Sequence, residues 1–330
     1  VLRLTRDQIL AYRRRVSHLD ARLPAGPESL QRAAHAGLAD SMPRAAVLSI
    51  GARVEGATPS SWEDPVYVQV WGLRYSVYVV TKEDVPVFTL GRMPESGAIR
   101  ERAQDVAKRL HAHMDGSPPI PFSEVGKAIG YKDANVLRYA ALTGSVLIRW
   151  EGARRPTVWT VPTPEMGEQD ARRELVRRYL HVFGPSTPES FGSWAGVRRP
   201  TFLDLELVPV DTPVGGEAWI LAEDEELLRE ESLPPAPARF LPSGDTFYLL
   251  WGADRELMIP DKARRNELWT SRVWPGAVLV GGEIVGTWRR TKGKVKVFPW
   301  RKLSKRVMET IEAEAASMPL DDEVTVRWEE

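Results

Sequence analysis

The stretch Val146-Leu147-Ile148-Arg149-Trp150-Glu151-Gly152-Ala153-Arg154-Arg155-Pro156-Thr157-Val158-Trp159-Thr160-Val161 holds two β-rich runs, 146–150 and 157–161, around a polar tip with Gly152, Arg154 and Arg155. Runs of this kind joined by a short Gly-containing loop predict a β-hairpin. Upstream, Ile99, Ala103, Val106, Ala107, Leu110 and Met114 share one helical face, so 96–114 reads as a helix with Ser96 as its cap. After the break at Pro118, Pro119 and Pro121, residues 123–129 predict a short helix stopped by Gly130, and 132–142 a third. Three helices followed by a basic-tipped hairpin is the order of a winged helix.

The same order recurs on both sides. Residues 169–183 predict a helix ended by Gly184-Pro185, and Thr187-Pro188-Glu189 starts another that Gly196 closes. Arg198-Arg199-Pro200 is expected to open a third short helix, with a second wing at 207–210 and 218–221. Residues 5–92 fit more loosely, with helices near 5–16, 28–36 and 44–54, a strand at 76–80 and a helix cap at 81–84. Beyond Pro234 strands are expected at 246–251, 277–280, 283–288 and 294–298, with Gly281-Gly282 as a tight turn and a helix at 304–316. The expected class is α+β: tandem winged-helix domains at 1–95, 96–164 and 165–233, then a β-rich domain at 234–330, bent around a concave channel.

With 330 residues, several domains are expected. The absence of cysteine excludes disulfides, thiolate metal sites and a Cys nucleophile, and suits a reducing cytoplasm. No run reaches the roughly 20 apolar residues of a membrane span. Formal net charge is zero, but its distribution is uneven: residues 98–200 hold 16 Lys/Arg against 11 Asp/Glu, 246–317 hold 14 against 8, and 201–245 hold 2 against 11. Phosphate responds to the local field, so basic segments parted by an acidic one suit DNA, although ordinary solvated charge gives the same counts.

Several stretches resemble the AlkZ-like winged-helix DNA glycosylases. They are Arg178-Tyr179-Leu180-His181-Val182-Phe183-Gly184-Pro185-Ser186-Thr187-Pro188-Glu189-Ser190-Phe191-Gly192-Ser193-Trp194-Ala195-Gly196, the segment 241–251, Pro260-Asp261-Lys262-Ala263-Arg264-Arg265, Trp274-Pro275-Gly276-Ala277-Val278-Leu279-Val280 and Gly286-Thr287-Trp288-Arg289. The resemblance implies DNA as partner and a Gln-x-Gln motif that holds water against an extruded nucleotide. Here those positions are Ala39 and Ser41 around Asp40, in Gly37-Leu38-Ala39-Asp40-Ser41. The family's Met-Arg-Gly-Thr-Leu-His strand aligns with Leu73-Arg74-Tyr75-Ser76-Val77-Tyr78, which keeps the arginine and puts Tyr75 and Tyr78 where Gly and His are usual. Arg74, Tyr75 and Tyr78 are therefore the expected pocket residues.

Asp40 is the one carboxylate inside the altered motif. It reads either as a base that orients water or as the cap of the helix that follows. Expected DNA contacts are Arg154 and Arg155 at the wing tip, Arg198 and Arg199 at the start of the third recognition segment, and Arg289, Arg290, Lys292, Lys294 and Lys296, with the three lysines on one strand face. That strand face reads equally well as a solvated edge. The five histidines make no ligand pair, and no nucleotide-binding signature is present, so no metal and no cofactor are expected. The expected protein is a monomeric cytoplasmic DNA-binding relative of these enzymes without their glutamines. The alternatives are a glycosylase using Asp40 or another acid, and a winged-helix transcription-factor-like or protein-interaction module.

Overall fold

A two-residue strand, β1 (Leu2–Arg3), leads into α1 (Arg6–Val16), whose start is fixed by a reciprocal cap between Thr5 and Gln8. Then follow α2 (Pro27–Ala33), β2 (Leu38–Ala39), α3 (Ala45–Arg53), β3 (Tyr67–Trp71), β4 (Val77–Thr81), α4 (Val85–Phe88) and the long α5 (Ala98–Met114). The middle of the chain holds β5 (Ile120–Pro121), α6 (Phe122–Ala128), α7 (Leu137–Ala140), β6 (Val146–Arg149), β7 (Thr157–Thr160), α8 (Glu168–Phe183), α9 (Pro188–Ala195), β8 (Leu207–Asp211), β9 (Glu217–Leu221) and α10 (Glu225–Arg229). The remainder is β10 (Arg239–Leu241), α11 (Ala253–Met258), α12 (Lys262–Leu268), β11 (Gly276–Val280), β12 (Glu283–Thr291), β13 (Lys294–Pro299), α13 (Lys305–Ala316) and β14 (Thr325–Trp328). This computed structural model describes residues 2–329 except 43, 153–154, 203 and 231–235.

Three sheets organise these elements into an α+β fold. The six-stranded sheet runs β2-β4-β3-β6-β7-β5, and its joint between β3 and β6 pairs Gln69 with Ile148, so residues on both sides of position 95 share one sheet. The three-stranded sheet runs β1-β8-β9, which ties the N-terminus to the hairpin at 207–221. The five-stranded sheet, β10-β11-β12-β13-β14, belongs wholly to the C-terminal part. Its β11–β12 turn is Gly281-Gly282, both at positive φ, the geometry that a two-residue hairpin loop requires.

The largest core joins these parts: Val70, Tyr78 and Phe88 pack in one cluster with Tyr179, Trp194, Tyr248 and Leu279. Buried charge reinforces the same seams. Arg13 is enclosed by the carbonyls of Phe183, Gly184 and Pro185 and by Asp254 at 2.7 Å. Arg53 of α3 holds Asp245 with two 2.8 Å bonds, and both side chains are buried. Breaking such a pair leaves an uncompensated interior charge, so these contacts hold the parts in one arrangement.

Four local expectations need correction. Residues 246–251 are not a strand: Asp245 accepts from the Phe247 N–H at 2.9 Å and winds Thr246–Tyr248 into a 3-10 turn. The helix expected at 132–142 is broken into 3-10 segments, Ala134–Val136 and Ala141–Thr143, on either side of the single turn α7. Arg198-Arg199-Pro200 opens no helix among the described residues. Pro200 disfavours helical backbone at the residue before it, and Arg199 adopts φ 51°. Lys292 lies in the β12–β13 turn at φ 54°, so only Lys294 and Lys296 stand on the exposed face of β13, alternating with buried Val295 and Val297. Among the described residues no helix is long and apolar enough to cross a membrane.

Candidate nucleic-acid interface

The altered motif sits on β2, the edge strand that pairs with β4. Ala39 is opposite Tyr78, and the Asp40 N–H donates to the Val77 carbonyl at 2.8 Å. Asp40 itself is completely enclosed. Its Oδ1 accepts from the Ala46 N–H at 3.1 Å in the first turn of α3, its Oδ2 accepts from the Gln69 amide at 2.9 Å, and Arg44 lies 3.3 Å from Oδ2. Gln69 is buried too, and its carbonyl oxygen accepts from the Trp150 N–H at 2.6 Å. Burial pushes the Asp40 carboxyl up to about 6, against the pull of Arg44 and the hydrogen bonds that favour the ion. The expected catalytic carboxylate is thus a helix-capping group with its oxygens committed. Tyr78 is also core rather than pocket wall, with its ring against Gly37, where a Cβ would meet Phe88 at 2.9 Å and Tyr78 at 3.1 Å. Burial raises its hydroxyl well above the ordinary phenol range.

Arg74 and Tyr75 occupy the tip that joins β3 to β4. They are consecutive non-glycine residues with φ 54° and 58°, at the two central positions of a turn closed by the Ser76 N–H on the Leu73 carbonyl at 3.0 Å. Left-handed backbone costs an L-residue about 1–2 kcal/mol, so something must hold this turn. Buried Arg92 does: it donates to the Ala195 carbonyl at 2.8 Å and to the Gly72 carbonyl, and its guanidinium lies 4.9 Å from the Tyr75 ring centroid. Arg74 reaches across to the Ser193 carbonyl at 2.8 Å.

Tyr75 borders a groove of about 680 Å³ that Arg74, Arg102, Tyr131, Asp133, Arg138 and Tyr139 also line. A second groove of about 490 Å³ shares Tyr131, Asp133 and Arg138 with it and adds Lys127, Lys132 and Arg155. Asp133 is the carboxylate common to both, and its Oδ1 accepts from the Asn135 N–H at 2.9 Å. Six cations therefore surround one short segment. The arrangement can attract phosphate and offer aromatic faces.

Residues 32–319 match the family model described as DNA glycosylase AlkZ-like. The chain belongs to the AlkZ-like DNA glycosylase family. A curated relative, the interstrand DNA cross-link repair glycosylase of Streptomyces sahachiroi, is 26% identical over an alignment of 255 residues, with 67% of this chain and 67% of that protein covered. The solved structure of the Streptomyces sahachiroi DNA glycosylase AlkZ superposes with a TM-score of 0.80 at 18% identity, covering 99% of this chain and 100% of that one, and so shares its fold.

Within this AlkZ-like chain the residues expected to meet DNA are dispersed. Arg74, Tyr75 and Arg155 border the paired grooves, whereas Arg154 lies outside the described residues. Arg198 and Arg199 follow Gly196, where a Cβ would stand 3.3 Å from the Arg74 Cα, so they lie along the chain from the Arg74 turn but without the helix N-terminus expected of them. The C-terminal cations line neither groove. Arg289 donates to the Val273 carbonyl at 3.1 Å, Arg290 is half-buried, and Lys296 pairs with Glu329 at 2.9 Å. β14 lies beside β13, placing Arg327 opposite Lys296. Asp40 shares neither groove with Arg74. Sequence reasoning missed Arg102, Lys127, Lys132, Arg138 and Gln69. For the first four the signal is an exposed cation on a segment with the winged-helix pattern, whereas Gln69 carries none.

Proposed function

We propose that this AlkZ-like chain binds duplex or distorted DNA through phosphate contacts, with no hydrolytic group at the motif positions. The observation that carries the reading is the enclosure of Asp40 between Ala46, Gln69 and Arg44. A general base must reach both water and substrate, which a capped interior carboxylate does not. Ala39 offers a methyl that neither donates nor accepts, and the Ser41 hydroxyl is a poor base. On this reading 1–95, 96–164 and 165–233 are winged-helix modules around a concave channel, 234–330 is the β-rich support, and the 131–139 segment with Arg155 is the DNA-facing part of the second module. Alkylated or otherwise distorted duplex is the favoured partner, because extruding a damaged base costs less than extruding a paired one.

The test is duplex binding across a salt series. Each neutralised phosphate contributes about −0.9 to the slope of log K against log salt. A slope corresponding to several phosphates is expected; a flat profile removes phosphate neutralisation as the driving force and the proposal with it.

A further inference from the structure

The groove beside Tyr75 is more aromatic than phosphate binding alone requires. Cations and tilted rings alternate along it: the Arg92 guanidinium lies 4.9 Å from the Tyr75 centroid, Tyr75 lies 5.3 Å from Tyr139 at 56°, and the Arg102 guanidinium lies 5.2 Å from the Tyr139 centroid. Tyr131 stands at the same groove, its hydroxyl donating to Asp105 at 2.9 Å and its ring 5.4 Å from the Arg109 guanidinium. Tyr75 and Tyr139 are only partly buried, and their hydroxyls make no hydrogen bond to protein among the described residues. Of the cations at the groove, Arg74 is held by the Ser193 carbonyl, whereas Arg102 and Arg138 form no ion pair among the described residues, although the neighbouring Arg109 holds Asp105 at 3.0 Å.

Tyr75 keeps this place against its backbone preference. At φ 58°, directly after Arg74 at φ 54°, it takes a conformation that glycine adopts freely and a tyrosine does not. Backbone held in such a region by surrounding contacts is a pointer to function. Its ring packs on the Met93, Ala103 and Leu142 cluster and, only partly buried, also lines the groove, where it is accessible to a ligand with a π face.

Paired bases present only their edges in the grooves of a duplex, whereas an unpaired base exposes its whole face. The groove's volume of about 680 Å³ lies in the range of small-ligand sites rather than that of a helix. Aromatic rings for the base beside free arginines for the flanking phosphates are the two components of single-stranded nucleic-acid sites. We infer that the Tyr75–Tyr139 groove receives an unpaired DNA nucleotide, its base stacked on the tyrosines and its phosphates on Arg102 and Arg138. The inference rests on the DNA-binding reading above and adds to it a preference for DNA with an unpaired nucleotide over fully paired duplex.

The experiment compares a fully paired duplex with the same duplex carrying a single-nucleotide bulge, by fluorescence anisotropy with full-length protein. The bulged duplex is expected to bind about tenfold more tightly, in line with the stacking of one base. Tyr75→Gly, which relaxes the backbone, and Tyr139→Ala are each expected to lower bulge affinity about 5- to 100-fold and paired-duplex affinity by a smaller factor, so that the bulge preference is lost. Tyr75→Phe keeps the π face and the preference. Thermal melts of the variants separate lost stacking from lost folding. Salt-sensitive binding to paired duplex with no bulge preference, or equal losses on both DNAs in variants that melt normally, overturns this inference and leaves the DNA-binding reading standing. Salt-insensitive or absent binding to both DNAs overturns the two together.

Discussion

Replacing Asp40 with asparagine tests whether its carboxylate is an enclosed cap. Burial raises its pKa from the ordinary 3.8 to about 6. Between those values the folded chain binds more protons than the unfolded one, so this group's contribution to stability falls as pH rises through the window and stays lowered above it. At about 1.36 kcal/mol per pH unit, the displacement amounts to about 3 kcal/mol. Asp40→Asn removes the titration. Its carbonyl oxygen can still accept from Ala46, but its amide then faces the donors of Gln69 and Arg44, a pH-independent cost of about 1–3 kcal/mol. Urea unfolding of both proteins from pH 4 to 7.5 supplies the comparison, since the difference curve cancels groups common to both. The advantage of wild type over the variant should shrink by about 2 kcal/mol from pH 4 to 7, because the unfolded carboxyl is already partly ionised at pH 4. A flat difference, or one that grows with pH, describes a solvated or stabilised carboxylate and refutes the reasoning.

Three further outcomes are expected. Arg102→Glu and Arg138→Glu should each weaken duplex binding and reduce the salt slope by about 1 or more, read from anisotropy at several salt concentrations. Asp245→Ala leaves Arg53 buried without its partner and should lower unfolding free energy by about 3–5 kcal/mol, measured by denaturant titration; a loss under about 1 kcal/mol contradicts the packing described. Ala39→Gln together with Ser41→Gln should restore no base excision, and the longer residue 39, placed in the core beside Tyr78, should cost about 1–3 kcal/mol, seen as a lowered Tm.

The elements that were legible in the sequence are those whose cause is local. The hairpin at β6–β7 follows from its β-rich runs and Gly-containing tip, α9 from Thr187, Pro188 and Gly196, and the β11–β12 turn from two adjacent glycines. Where the cause is distant, the reading failed. The turn at Thr246–Tyr248 exists because Asp245 is anchored by Arg53, 192 positions away. The Arg198 segment was misread for a local reason, the effect of Pro200 on Arg199. At the site, the altered motif was visible as Ala39-Asp40-Ser41, but Gln69, which commits the carboxylate, lies 29 residues off. Arg74 and Tyr75 were singled out by position, while the left-handed turn that presents them and the convergence of Arg102 and Tyr139 on Tyr75 are tertiary facts.

The central claim is that the chain keeps DNA binding without hydrolysis at the motif. Its most direct test is a single-turnover assay on duplex containing an N3- or N7-alkylpurine, under conditions where the same protein is shown by anisotropy to be saturated with that DNA. The account predicts full occupancy with abasic-site formation no faster than in protein-free controls. Base excision above that background by the wild-type chain would contradict it, and loss of that excision in Asp40→Asn would assign the chemistry to the carboxylate described here as a cap.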